Sequence, residues 1–209
     1  MSAQSSDHLA SSKSASSLIV GISGASGIVY GIRMLEVLRA SGIQTHLVMT
    51  KAAEMTLGYE SDLKAKDVRD LADFYHPIGD IGASISSGSF RTMGMAIMPC
   101  SIRTMSEIAT GVTSSLMSRA ADVVLKERRR LVLGVRETPL HSGHLRTLLS
   151  LSDMGAIVAP LVPAFYNRPQ SIDDIVNHSV GRVLDLFDID SGVVKRWKTG
   201  ETSSPQSQE

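Results

Sequence analysis

The sequence predicts a single α/β domain: a doubly wound, flavodoxin-like (Rossmann-like) parallel sheet with helices on both faces. Two patterns that alternate along the chain support this. Short runs of apolar, often β-branched residues alternate along the chain with stretches whose apolar residues recur at helical spacing. Apolar strands alternating with helices form parallel sheets covered on both faces, and their crossovers are right-handed. Because such sheets bind ligands at the carboxyl ends of their strands, we expect the functional residues in the loops that follow strands.

The first half of the chain opens with a buried strand and continues with a helix. Ser17–Ile22 is short and β-branched and ends among glycines, which is typical of a buried strand. The helix is predicted at 27–40 because Ile28, Ile32, Leu35 and Leu38 fall near helical spacing, and Ser41 and Gly42 end it. The next elements are a strand at 45–49 and helices at 51–59 and 65–72.

The second half repeats this alternation. A strand is predicted at 93–98, closed by Pro99, because proline cannot donate to a strand ladder. The remaining elements are helices at 101–109 and 113–126, a strand at 131–135, a helix at 140–154, a strand at 156–159 and a helix at 172–187. The division into domains is a disordered Ser-rich tail at 1–17, one domain at 18–198 and a disordered polar tail at 199–209.

Composition excludes several function classes. Lys plus Arg and Asp plus Glu both number 21, so the neutral chain lacks the basic excess of most nucleic-acid binders. Its longest apolar stretch, 155–165, contains two prolines and is far shorter than the roughly 20 residues of a membrane span. The single cysteine points to no oxidising compartment, so a cytoplasmic location is expected. His141 and His144 are spaced for a metal, but no third ligand is near and no metal is expected.

The loop after the first strand is the first candidate site. Gly21 to Gly27 has the spacing G-x-x-G-x-x-G and opens a helix, where backbone amides attract phosphate. Gly24, Ala25 and Ser26 are its candidate binding residues. The second strand ends at Thr50, followed by Lys51 rather than the acid of a dinucleotide fold, which favours a phosphate over NAD. The alternative is a tight turn in which Ser26 caps the helix.

Two later loops carry similar residues. After the 93–98 strand, the segment from Ser101 through Ile102 and Arg103 to Thr104 offers hydroxyls and amides to a phosphate, although Thr104 could instead begin a capping box with Glu107. After the 131–135 strand come Arg136 and Glu137. Arg136 could orient an anionic ligand and Glu137 could move a proton, or the two could form a solvated ion pair.

Three helical cations and one glycine turn complete the candidates. Arg119 and Lys126 are seven residues apart and therefore share a helix face. Arg182 lies beside the apolar stripe of its helix, where it either extends towards water or pairs with an anion. Gly88 lies in the Ser86–Ser89 run, which is either a flexible turn or an anion-binding nest.

Taken together, these motifs resemble the flavin prenyltransferase family, the UbiX-like proteins, over about residues 18–197. The segments that carry the resemblance are Gly21-Ile-Ser-Gly-Ala-Ser-Gly27, Ser86-Ser-Gly-Ser89, Pro99-Cys-Ser101, Arg119-Ala-Ala-Asp-Val-Val-Leu-Lys-Glu-Arg128, Arg136-Glu-Thr-Pro139, Pro163-Ala-Phe-Tyr166, Arg168-Pro-Gln170, Arg182-Val-Leu-Asp185 and Arg196-Trp197. Each motif is weak alone, whereas their joint order and spacing are specific.

The resemblance implies a metal-free enzyme that joins a dimethylallyl group from dimethylallyl phosphate to N5 and C6 of reduced FMN. The prenylated FMN then serves UbiD-like decarboxylases, and the enzyme is expected to be a homododecamer with sites between subunits. The implied FMN-binding residues are Gly24, Ala25, Ser26, Thr50, Ser101, Ile102, Arg103, Thr104 and Arg136. The implied donor-binding residues are Gly88, Arg119, Lys126, Glu137, Tyr166 and Arg182. The implied catalytic residues are Ser26, Glu60, Lys126 and Glu137.

Three alternatives remain at this point. An FMN-dependent cysteine decarboxylase of the same fold would carry P-x-M-N-x-x-M-W, whereas the corresponding region here, which begins at Pro163, lacks it. A flavin-carrying accessory subunit would not need to retain this set of residues together: Glu60, Lys126, Glu137, Tyr166 and Arg182. A nucleotide-binding signalling module would leave the hydroxyl-bearing loops without a use. The choice between a monophosphate and a diphosphate donor stays open.

Overall fold

The computed structural model describes residues 17–194. Its strands are β1 (Ser17–Ile22), β2 (Gln44–Met49), β3 (Phe74–His76), β4 (Gly94–Cys100), β5 (Arg130–Val135) and β6 (Ile157–Val158). Its helices are α1 (Ile28–Ala40), α2 (Lys51–Glu60), α3 (Ala65–Arg69), α4 (Ile102–Ala109), α5 (Leu116–Lys126), α6 (Ser142–Asp153) and α7 (Ile172–Asp185).

Every strand pairing in the sheet is parallel, and the strand order is β3-β2-β1-β4-β5-β6. Without the short β3, the remaining five strands have the flavodoxin-like order 2-1-3-4-5; with β3, the order is the Rossmann 3-2-1-4-5-6. The predicted doubly wound fold class is therefore confirmed. The direction of winding reverses between β1 and β4, and in such folds the crevice at this switch point is where ligands bind.

Because side chains alternate along the strands, the hydrophobic core is divided between the two faces of the sheet. On β1, Leu18, Val20 and Ile22 are buried in one apolar cluster with residues of α1, α2, α3 and α7. Ile19 belongs to a second cluster with residues of α4, α5 and α6. Because successive side chains of a strand point to opposite faces, the continuous apolar run of β1 supplies both layers. None of the helices within residues 17–194 is long and apolar enough to cross a membrane.

Differences from the sequence-based elements are local. β3 was not predicted, because three residues are too short to show a period; it forms by pairing with β2. Pro99 does not close its strand, since β4 continues to Cys100 through a register shift that accommodates the proline. Ser17 begins β1 instead of ending a tail. The rest of the 1–17 tail, the 199–209 tail and Arg196-Trp197 lie outside the described residues.

Candidate functional site

Three helix N-termini meet at the edge of the sheet where the strands end. α1 follows β1, α2 follows β2 and α4 follows β4, and these three strands are neighbours. The first amides of a helix have no partner within the helix, and the helix dipole makes that end attractive to anions. A cleft of about 530 Å³ opens here, lined by the loop before α1, by the starts of α2 and α4 and by neighbouring loops: Gly24, Thr50, Lys51, Ala52, Ile78, Ser101, Ile102, Arg103, Thr104, Glu107, Ser114, Ser115 and Glu137.

The glycine loop after β1 is shaped by two glycines with different tasks. Gly27 is the N-cap of α1 and has a φ of 95°, a left-handed conformation that favours glycine. At Gly24, a Cβ would lie 2.3 Å from the Cβ of Ala52, so only glycine lets α2 pack this closely against the loop. The alternative in which Ser26 caps α1 is wrong, because Gly27 holds the cap position and α1 has no side-chain cap.

Hydroxyl groups cap the other two helices. The Thr50 hydroxyl accepts a hydrogen bond from the Ala53 N–H at 3.0 Å, and the Ser101 hydroxyl accepts one from the Thr104 N–H at 3.3 Å. The alternative in which Thr104 begins a capping box is therefore wrong, since Ser101 is the cap and Glu107 instead accepts from Arg103 at 2.9 Å. Thr50, Ser101 and Thr104 thus place three hydroxyls along one cleft.

Ser23, which the sequence reasoning missed, ties two of these loops together. It is completely buried, and its hydroxyl accepts the Ser101 N–H at 2.7 Å and donates to the Pro99 carbonyl at 3.0 Å. The Ser23 N–H also donates to Pro99. The start of α4 is therefore fixed relative to the glycine loop. A serine directly after a buried strand was the only signal, and its partner lies far away in the sequence.

Glu60 lies at the N-terminus of α1, where its carboxylate replaces a helix cap. Its Oε2 accepts hydrogen bonds from the N–H groups of Gly27 at 2.9 Å and Ile28 at 3.0 Å. Burial raises the pKa of Glu60, but the hydrogen bonds from Ser26, Ile28 and Gly27 and the charge of Arg136 outweigh it, so the pKa lies below its usual value. The sequence alone made Glu60 look like a surface residue; the structure connects it to the glycine loop as an ionised carboxylate.

Arg136 and Glu137 follow β5 and face the same edge of the sheet. The Arg136 N–H donates to the Cys100 carbonyl at 3.1 Å, which holds this loop beside the β4–α4 loop. Glu137 lines the cleft, and its Oε1 accepts the N–H of Thr138 at 3.0 Å. The two side chains, both described, do not form the ion pair that the sequence left open.

Lys126 and Gly88 lie at the opposite end of the strands, where the strands of the sheet begin. α5 ends at Lys126 and β5 begins at Arg130, so Lys126 is where the strands start. A Cβ on Gly88 would lie 3.0 Å from the Lys126 ammonium, which places the Gly88 turn beside it. β5 is six residues long, about 20 Å at the usual rise per residue, and this length separates Lys126 from the cleft of its own chain.

Tyr166 and Arg182 form another group, on the face of α7. The Tyr166 hydroxyl lies 2.8 Å from Nε2 of His178, and His178 and Arg182 line one depression together with Leu161. Arg182 pairs with Asp185 at 2.6 Å. The remaining expected donor-binding residue, Arg119, lies near the start of α5 and pairs with Asp122 at 2.9 Å. One chain therefore gathers the expected FMN residues but not all of the expected donor residues.

The groups around the cleft suit a phosphate monoester such as that of FMN. They combine the first turns of α2 and α4, the hydroxyls of Thr50, Ser101 and Thr104, and the cations Lys51 and Arg103. Such donors match the acceptor oxygens of a phosphate. Within residues 17–194, no group of three or more His, Cys, Asp or Glu side chains is arranged to hold a metal ion.

Comparisons with known sequences follow this geometry. A family model described as Flavoprotein matches residues 6–184. Over 173 residues, the chain is 60% identical to a protein named flavin prenyltransferase UbiX from Escherichia coli K12, which covers 82% of this chain and 92% of that protein. A protein of the same name from Thauera aromatica is 53% identical over 184 residues, covering 88% of this chain and 95% of that one.

Two solved structures are similar over most of the chain. AnUbiX (PadA1), in complex with FMN and dimethylallyl pyrophosphate, has a TM-score of 0.87 and 50% identity, and the match covers 89% of this chain and 99% of that one. A dodecameric FMN-dependent UbiX-like decarboxylase from Escherichia coli O157:H7 has a TM-score of 0.85 and 49% identity, covering 88% of this chain and all of that one.

Proposed function

This chain belongs to the flavoprotein family and, within it, to the UbiX-type flavin prenyltransferases, and from that membership we propose that it prenylates reduced FMN. A dimethylallyl group passes from dimethylallyl phosphate to N5 and C6 of the flavin, and inorganic phosphate is released. The observation that carries the proposal is the convergence of the glycine loop and the hydroxyl-capped starts of α2 and α4 on one cleft, with the ionised Glu60 beside the glycine loop.

FMN is held by the edge of the sheet where the strands end. The amides and hydroxyls from Gly24 to Ser26, Thr50, and the start of α4 from Ser101 to Thr104 bind its phosphate, and Arg136 approaches from the β5 loop. When bound in its reduced form, FMN supplies the two nucleophilic ring atoms. The buried Ser23 keeps the two phosphate-binding loops at a fixed distance, so this site is preorganised.

The donor phosphate is held by cations and a hydroxyl. Lys126, Arg182 and the Tyr166 hydroxyl stabilise the negative charge that grows on the phosphate as the allylic C–O bond breaks, with Gly88 and Arg119 beside them. Lys126 lies where the strands of its own chain begin, whereas the cleft lies where they end. The cleft of one chain therefore takes this cation from another copy of the chain. We therefore propose a homo-oligomer, a dodecamer like that of the similar UbiX-like decarboxylase.

Two carboxylates move protons in this proposal. Glu60 is ionised near neutral pH, since Ser26 and the helix-start amides lower its pKa, and in this proposal its carboxylate accepts a proton as the flavin gains its new bonds. Glu137, at the cleft, donates a proton to the departing phosphate. Ser26 orients Glu60. Exclusion of water from the closed site protects the allyl cation from hydrolysis.

The product and its use follow from the chemistry. Prenylated FMN is a cofactor in its own right, and we propose that a UbiD-like decarboxylase in the cytoplasm receives it. The relative that binds dimethylallyl pyrophosphate makes the diphosphate a second donor to test. Because another relative is described as a decarboxylase, a decarboxylase activity of this chain is the competing function.

One experiment separates these functions. The purified protein is incubated without oxygen with reduced FMN and either dimethylallyl phosphate or dimethylallyl pyrophosphate, and the flavin is then extracted for mass spectrometry. We expect a flavin heavier than reduced FMN by one five-carbon unit, with one phosphate released per flavin from dimethylallyl phosphate or one pyrophosphate from dimethylallyl pyrophosphate. An unchanged flavin with both donors, together with carbon dioxide release from a carboxylic acid substrate, would establish the decarboxylase instead.

A further inference from the structure

His178 is a buried titratable residue that contacts an expected donor-binding residue. It lies on α7 with 7% of its surface exposed, and its Nε2 is 2.8 Å from the Tyr166 hydroxyl. The two rings also pack edge to face, with centroids 5.5 Å apart and planes at 81°. The Tyr166 ring is half-exposed, so His178 is the anchored member of the pair. The position of the tyrosine hydroxyl therefore depends on this histidine.

The direction of this hydrogen bond decides what the tyrosine can offer to a ligand. A tyrosine hydroxyl has one proton, and a neutral imidazole has one N–H and one bare nitrogen. If His178 accepts through a bare Nε2, the Tyr166 proton is used within the protein. If His178 carries a proton on Nε2, it donates to the tyrosine oxygen, and the tyrosine proton can point to an acceptor such as a phosphate oxygen.

Charged groups around His178 set which direction is favoured. The charges of Arg182 and Asp185, one and two turns further along α7, act on it; Asp174 lines a small depression together with His178, and Tyr166 is its hydrogen-bond partner. Burial lowers the pKa of His178 below its ordinary value, and the charge of Arg182 lowers it further, while Asp185 raises it. The ring is therefore neutral at neutral pH, and an arriving anion favours the form with a proton on Nε2.

We infer that His178 is a positioning residue for the prenyl donor: it donates from Nε2 to the Tyr166 hydroxyl and so directs the tyrosine proton to the donor phosphate. The inference rests on the proposed function. It predicts that donor binding becomes tighter as acid protonates His178, since the protonated ring can only donate. Flavin binding is not affected, because the FMN-binding loops follow β1, β2, β4 and β5, whereas Tyr166 follows β6 and His178 lies on α7.

The test compares wild type with His178→Gln, whose side-chain amide can donate to Tyr166 at any pH but cannot titrate. The KM for dimethylallyl phosphate and kcat are measured from pH 8 to pH 5. Titration of the donor phosphate affects both proteins equally, so the ratio of their KM values isolates the histidine. We expect this ratio, wild type over variant, to fall roughly 2- to 12-fold towards acid pH, the factor for one hydrogen bond, and the ratio of kcat values not to fall, since the same hydroxyl also stabilises the charge that grows on the phosphate.

A second measurement does not depend on turnover. Calorimetry of donor binding to the protein with oxidised FMN, in two buffers of different ionisation enthalpy, counts the protons taken up. Wild type should take up more protons than His178→Gln, and this difference should disappear when both carry Tyr166→Phe. A KM ratio that is constant with pH, or a difference that survives Tyr166→Phe, overturns the inference alone. Failure of wild type to prenylate FMN at any pH overturns the proposed function and the inference with it.

Discussion

Replacing Glu60 with Gln tests the contact between α2 and the glycine loop. The amide oxygen of Gln can still accept the N–H groups of Gly27 and Ile28, so the change removes the negative charge and retains the shape. A carboxylate at an exposed helix N-terminus contributes about 0.3–1 kcal/mol. We therefore expect the free energy of unfolding at pH 7 to fall by about that amount, with α1 still formed.

The pH dependence gives this prediction its sign. The folded-state pKa of Glu60 lies below its usual value of 4.5, so its charge stabilises the fold at pH values above 4.5. That stabilisation is lost as the pH falls through the lower, folded-state pKa. The difference in unfolding free energy between wild type and Glu60→Gln should consequently shrink towards zero in acid. Urea unfolding at pH 7, pH 5.5 and below pH 4.5 measures it.

The same variant should prenylate slowly. If Glu60 accepts a proton during the reaction, losing a general base typically costs about 10²–10⁴-fold in rate. Asp62→Asn is the matched control, because Asp62 is an exposed carboxylate two residues away. It should leave both stability and prenylation unchanged. A stability difference for Glu60→Gln that is the same at every pH, or normal prenylation by this variant, would refute the reasoning.

The remaining predictions concern the cofactor, the donor and the assembly. FMN should bind more tightly than riboflavin, which lacks the phosphate, and calorimetry giving equal affinities would exclude the phosphate site at the three helix starts. Lys126→Ala and Arg182→Ala should keep FMN but prenylate roughly 10- to 150-fold more slowly, because one charge-assisted contact contributes about 1.5–3 kcal/mol. Flavin absorbance measures whether FMN is kept. Variants that lose the yellow flavin would instead assign these cations to FMN binding. Light scattering should report an oligomer, and a fully active monomer would contradict it.

The fold could be predicted because its signals are local. β1 is a short, mostly apolar run, and five of the seven described helices have a hydroxyl residue or glycine at the N-cap, such as Thr50 for α2 and Ser101 for α4. β3 carries no such signal, since three residues show no period and pairing with β2 creates the strand. Pro99 was misjudged because the register shift that admits it depends on β5.

The site was only partly predictable for a related reason. The loops that we expect to bind the phosphate are each contiguous, so their amides and hydroxyls can be found in the sequence. Glu60 reaches the start of α1 from 33 positions away, and Ser23 reaches Ser101 from 78 positions away. Neither contact leaves a spacing pattern. His178 likewise became visible only as the partner of Tyr166, because a single histidine in an apolar helix is usually a core residue.

The central claim is that the cleft of one chain is completed by a cation from another. Glu60 lies where the strands end and Lys126 where they begin, so they belong to different sites within one chain. Glu60→Gln and Lys126→Ala are each expected to prenylate slowly alone. When both variants are co-expressed in equal amounts, about a quarter of the sites combine an unaltered Glu60 with an unaltered Lys126. Measured by mass spectrometry of the flavin, the mixed oligomer should recover roughly that share of wild-type prenylation. A mixed oligomer no more active than the two variants assayed separately would contradict the shared site.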